Sequence, residues 1–171
     1  MKITTRQLVI MGTMIALEVI LSRFLSISAW NIKIGFAFVP VVITAILYGA
    51  VSAGIVGAAA DFIGAILFPI GAYFPGFTLT AFLTGLVFGF FLHKQQTLPR
   101  IAAAVLINQM ILGLLLNTFW ISVLYGSDFR TLFAVRGVQA LILTAVQIAG
   151  IILIRQAMTE GLRKQAVRSN S

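Results

Sequence analysis

Tyr48-Gly49-Ala50-Val51-Ser52 breaks a run from Ile34 to Phe74 in which Asp61 is the only charged residue. A membrane-spanning helix needs roughly 20 apolar residues, so the run is too long for one crossing and suits two. The small residues at 49–52 supply a tight turn, predicting helices over about 35–48 and 51–69. Two crossings joined so tightly make lipid, rather than water, the solvent around this part of the chain.

The pattern extends in both directions. Towards the N-terminus, an apolar span over about 8–24 is followed by the polar segment Ser26-Ile27-Ser28-Ala29-Trp30-Asn31-Ile32-Lys33. Lys2 and Arg6 ahead of that span imitate a signal peptide, but Glu18 interrupts it and no small-residue cleavage site follows. A retained first helix is expected. Towards the C-terminus, spans are expected over about 77–92, 101–124 and 133–154. His93 to Arg100 forms a polar loop, with Pro99 placed to open the fifth helix. Tyr125-Gly126-Ser127-Asp128 turns the chain again, and Arg155 to Ser171 reads as a polar tail in which Glu160 and Lys164 stand i,i+4.

The reading is an all-α membrane protein, a bundle of six transmembrane helices in a single domain over 1–171. Composition agrees: of 171 residues 60% are hydrophobic and 9% charged. The net charge of +8 would suggest nucleic acid in a soluble domain. Here the basic residues sit at the ends of apolar runs and face lipid headgroups instead. With both termini cytoplasmic, the inner segments hold eight of the twelve basic residues (Lys2, Arg6, Lys94, Arg100, Arg155, Arg163, Lys164 and Arg168). Arg23, Lys33, Arg130 and Arg136 remain outside, and that asymmetry sets the orientation.

Phe68-Pro69-Ile70-Gly71-Ala72-Tyr73-Phe74-Pro75-Gly76-Phe77-Thr78 then lies outside, between the third and fourth spans. Two prolines and two glycines make it a shaped loop, and four rings make it unusual for a merely soluble one. It serves either as an interfacial aromatic belt or as a lid that stacks on a flat ligand. Asp61 lies mid-way along the third span among Gly54, Gly57, Ala58, Gly64 and Ala65, a small-residue face that turns it towards the bundle. It is either a structural partner for a neighbouring helix or an acceptor at a ligand site. Asn117 and Trp120 share a face at i,i+3, as Arg136 and Gln139 do on the sixth span. With Phe74, Phe77, Thr78 and Thr80 they converge on one level, as apolar walls, rings and a few oriented polar groups for something flat and polar. Gly12 and Ala16 form a small-xxx-small pair for close helix contact, within the bundle or with another subunit.

Other chemistries lack their residues. No Walker loop is present, so this chain does not hydrolyse ATP itself. Cysteine is absent, and His93 reads as a solvated loop residue rather than a metal ligand. No nucleophile–base pair or cofactor motif accompanies the serines and threonines.

Ala60-Asp61-Phe62-Ile63-Gly64, Phe68-Pro69, Tyr73-Phe74-Pro75-Gly76-Phe77-Thr78-Leu79, Leu116-Asn117-Thr118-Phe119-Trp120 and Tyr125-Gly126 together resemble the folate-specific substrate-binding subunits of energy-coupling-factor vitamin transporters. The resemblance runs from the first helix to the sixth. It implies a six-helix bundle in the bacterial plasma membrane that binds its vitamin near the outer face, with the loops after helices one and three closing over it. It also implies a transmembrane coupling subunit and two cytoplasmic ATPases as partners. In the family an Ala-xxx-Ala motif on helix one docks on the coupling subunit; here Gly12 replaces the first alanine and Ala16 keeps the second. A pterin would suit stacking on Phe74, Phe77 or Trp120, beside Tyr73, with its edge read by Asp61, Asn117 or Gln139. Arg23, Lys33 and Arg136 are the bases available to the two carboxylates of a glutamyl tail. The alternatives are another vitamin on the same scaffold, or an autonomous proton-coupled carrier using Asp61 or Glu18.

Overall fold

The computed structural model describes residues 4–29 and 32–169, with side chains described over 4–26 and 35–160. Six helices account for nearly all of it: α1 (Thr5–Arg23), α2 (Phe38–Tyr48), α3 (Ala50–Leu67), α4 (Pro75–Leu92), α5 (Leu98–Tyr125) and α6 (Phe129–Ser169). A short antiparallel hairpin, β1 (Ile27–Ala29) and β2 (Ile32–Ile34), joins α1 to α2, with Ser28 opposite Lys33. The stretch expected to be only a polar connection therefore has its own regular structure.

Five helices are long and apolar enough to cross a membrane, and α2 is the exception at 11 residues. At 1.5 Å per residue it covers about 16 Å, roughly half of a hydrocarbon core. The hairpin and Gly35 occupy the residues that would have lengthened it. Gly49 at φ +83° makes the whole connection from α2 to α3, a left-handed conformation that side chains rarely adopt. Pro75 starts α4 at a position where its missing N–H has no helical partner to lose, so α4 begins two residues before the predicted Phe77. Beyond Arg155 the polar tail is helical through Ser169; the side chain of Lys164 lies outside the described residues.

The tightest seam is between α3 and α4. A Cβ at Gly57 would sit 2.7 Å from the Ala81 carbonyl oxygen, and one at Gly54 would sit 2.9 Å from the Phe82 ring. At Gly85 it would strike the Ala53 carbonyl, and at Gly89 the backbone of Ala50. Glycines four apart along α4 thus let two backbones touch without an apolar driving force between helices, which lipid does not supply. A dense core of Val42, Phe88, Leu92, Ile101, Val105 and Ile151, each fully buried, fills the half of the bundle near the α2–α3 turn. His93 closes that end, with Nδ1 3.1 Å from the Ile46 carbonyl. The opposite half, under the hairpin and the Phe68–Phe74 loop, is hollow.

Candidate functional site

The hollow consists of two adjoining lobes with common walls from all six helices. One, of about 430 Å³, reaches down to Asn108 and Gln147; the other, of about 530 Å³, opens under the α3–α4 loop at Tyr73 and Phe74. Each has the size of a small-molecule site. Arg23, Asp61, Phe77, Asn117 and Arg136 line both lobes, and Gln139 lines the deeper one. These residues come from five helices, so the site exists only in the folded bundle.

Arg23 ends α1 and lies along α3 where Gly64 leaves room: a Cβ there would be 2.8 Å from the Arg23 Nε. That nitrogen is buried with no hydrogen-bond partner among the described residues. Asp61 accepts from the Thr78 hydroxyl at 2.7 Å, and the Tyr73 hydroxyl lies 3.3 Å from the same Thr78 oxygen. The α3–α4 loop, the start of α4 and the acidic residue of α3 are thereby linked. Asp61 thus holds a neighbouring helix and also lines the cavity.

The rings divide into two roles. Phe74 and Phe77 stand edge-to-face with centroids 6.1 Å apart, and both line the lid lobe with Tyr73. Trp120 lies behind them. Its ring tilts against Phe74 at 5.4 Å and its indole N–H donates to Thr80 Oγ1 at 3.1 Å, so it backs the wall instead of forming it. Phe74 and Phe77 are thus the rings on the cavity wall, with Trp120 as their support. Gly76 is required by this packing, because a Cβ would fall 2.7 Å from the Trp120 ring. The Lys33 side chain lies outside the described residues.

The middle of α5 departs from α-helical geometry. Ile107–Leu116 is a π-helix, a wider turn that occurs frequently at functional sites. Arg136 Nη2 lies 3.5 Å from the Gly113 carbonyl within this segment, linking α6 to the irregular backbone. The segment also brings buried Asn108 and Gln109 to the cavity wall. Neither was expected as a site residue. Glu18, weighed in the sequence as a carrier's proton site, lines the cavity with Ser22, Thr84 and Gln147; for these three, polarity inside apolar spans was the available signal. Where α6 begins, outside the cavity, Asp128 Oδ2 accepts from Thr131 N at 3.0 Å and Thr131 Oγ1 at 2.8 Å. These bonds, the backbone one foremost, hold its carboxyl below the ordinary value.

The walls therefore combine two arginines, two carboxylates, several carboxamides and a group of rings. Among the described residues no group of His, Asp and Glu could hold a metal ion. A family model described as the S component of ECF-type riboflavin transporters matches residues 2–164. The chain belongs to the S components of ECF-type transporters. As an S component it is a multi-pass protein of the bacterial membrane and a transporter subunit rather than an enzyme.

Two relatives carry the name folate transporter FolT. The Clostridium novyi (strain NT) protein is 42% identical over 137 residues, 80% of each chain. That of Leuconostoc mesenteroides is 30% identical over 154 residues, 86% of this S component and 83% of its own length. A solved structure described as FolT bound with folic acid superposes with a TM-score of 0.83 at 33% identity, covering 88% of this S component and 93% of that chain.

Proposed function

We propose that this S component binds folate in the hollow half of its bundle and delivers it to an ATP-driven importer. The matching family model is named for riboflavin and the relatives for folate, so the choice rests on the site. Both vitamins offer a flat fused ring with amide-like edges. Folate alone adds a glutamyl tail with two carboxylates. The observation that supports folate is the pair of guanidinium groups, Arg23 and Arg136, on the cavity wall. Arginine's rigid fork suits carboxylates, whereas a neutral ribityl chain has no need of either. Phe77, on the wall of both lobes, and Phe74, on that of the lid lobe, would cover the aromatic part, and Asp61, Asn117 and Gln139 would meet its polar groups and the connecting amide.

The whole chain then acts as one substrate-binding domain with both termini cytoplasmic. A transmembrane coupling subunit and two ATPases complete the importer. Gly12 and Ala16 are exposed on α1, and nothing lies within 4 Å of a Cβ built at Gly12. That open small-residue face is where the coupling subunit would dock. Gly12→Leu should leave folate binding intact and abolish uptake in cells; loss of binding, or normal uptake, would oppose this placement. The ligand itself is tested by identifying, by mass spectrometry, the small molecule that co-purifies with the protein. Folate or a reduced pterin is expected, and riboflavin would overturn the assignment.

A further inference from the structure

We infer that Asn108 is a specificity-determining residue that reads the ring edge at the floor of the cavity. Asn108 is 5% exposed, yet its Nδ2 and Oδ1 are both buried without a hydrogen-bond partner among the described residues. Buried polar groups are nearly always paired, and a carboxamide with both ends unpaired is costly to keep. Across the deep lobe, Gln147 Oε1 is also buried and has no described partner.

Both residues line the deep lobe and neither reaches the lid lobe. Asn108 stands at the start of the π-helical segment, about four helical turns from the Tyr125 end of α5. A carboxamide offers a donor and an acceptor side by side, which matches a cyclic amide, where N–H and C=O are adjacent. The ligand class is therefore a lactam-bearing heteroaromatic ring inserted head first, with its charged tail towards Arg23 and the lid. This assignment rests on the folate reading for its tail but not for its ring edge.

The test compares wild type with Asn108→Leu, an apolar near-isostere, and Asn108→Ala. Each is titrated with folate and with pteroate, which lacks the glutamate, and each is melted without ligand. Affinity for both ligands should fall alike, by about tenfold or more, in both variants. The ligand-free melting temperature of Asn108→Leu should hold or rise, because an unpaired buried amide has been removed. Affinity within about twofold of wild type, or a lowered ligand-free melting temperature of Asn108→Leu, would overturn the inference. If wild type binds riboflavin and not folate, the folate reading fails by itself. The same variants, titrated with riboflavin, whose ring carries the same type of edge, then decide on Asn108.

Discussion

The Thr78 hydroxyl donates to the Asp61 carboxylate at 2.7 Å, joining the first turn of α4 to the middle of α3 directly under the lid loop. A charge-assisted bond of this kind contributes about 1.5–3 kcal/mol where it is shielded from water. Thr78→Val should therefore lower the melting temperature and speed folate release, and Thr78→Ser should restore both. Release rates by stopped-flow fluorescence check this; an unchanged rate in Thr78→Val would show that the link does not hold the lid.

Phe74 and Trp120 differ in role although they touch. Phe74→Ala should weaken folate directly, by about tenfold or more, since it removes a ring from the cavity wall. Trp120→Phe keeps the ring behind Phe74 and loses only the bond to Thr80. It should cost folate affinity about fivefold or less, a single neutral hydrogen bond. A larger effect for Trp120→Phe than for Phe74→Ala would place the indole in the site.

Gly85 meets the backbone at Ala53. Gly85→Val should separate α3 from α4, displacing Asp61 from Thr78, and yield protein that neither stays monodisperse in detergent nor binds folate. Gly126, where a Cβ would meet nothing within 4 Å but φ is +64°, should tolerate Asn far better than Val. Gel filtration of the three variants separates crowding from backbone strain.

Asp128 gives a pH dependence with a definite sign. Its carboxyl lies below the ordinary value of 3.8 in the folded protein, chiefly through the Thr131 N–H. The stabilisation is fully present above the ordinary value and is lost as pH falls through the lowered one. Melting curves of wild type should show this acid loss, and Asp128→Ala should lack that component while matching wild type more closely at low pH than at neutral pH.

Much of this fold was legible because lipid imposes long apolar runs and glycine marks the places where they turn. Gly49 is such a mark, and Asp61 stood out because a charge within an apolar run needs a reason. The hairpin was harder to see. Ile27-Ser28-Ala29 and Ile32-Lys33-Ile34 are each only three residues long, too short for alternation to outweigh their polarity. Asn108 escaped notice for another reason: the π-helix of α5 widens the turn, so a face counted at 3.6 residues drifts off register before reaching it. Trp120 shares a helix with Asn117 as read, yet its indole packs against Phe74 and lines neither lobe. Contacts of that kind depend on how two distant segments meet, which helical spacing does not encode.

The central claim is that two arginines select a ligand with a carboxylate tail. Equilibrium titration of the purified protein with folate, pteroate and riboflavin, in wild type and in Arg23→Ala and Arg136→Ala, tests it most directly. Folate should bind more tightly than pteroate, riboflavin should bind weakly, and at least one arginine variant should lose about 1.5–3 kcal/mol on folate while barely changing for pteroate. Riboflavin binding more tightly than folate, or equal losses on folate and pteroate in both variants, would contradict it.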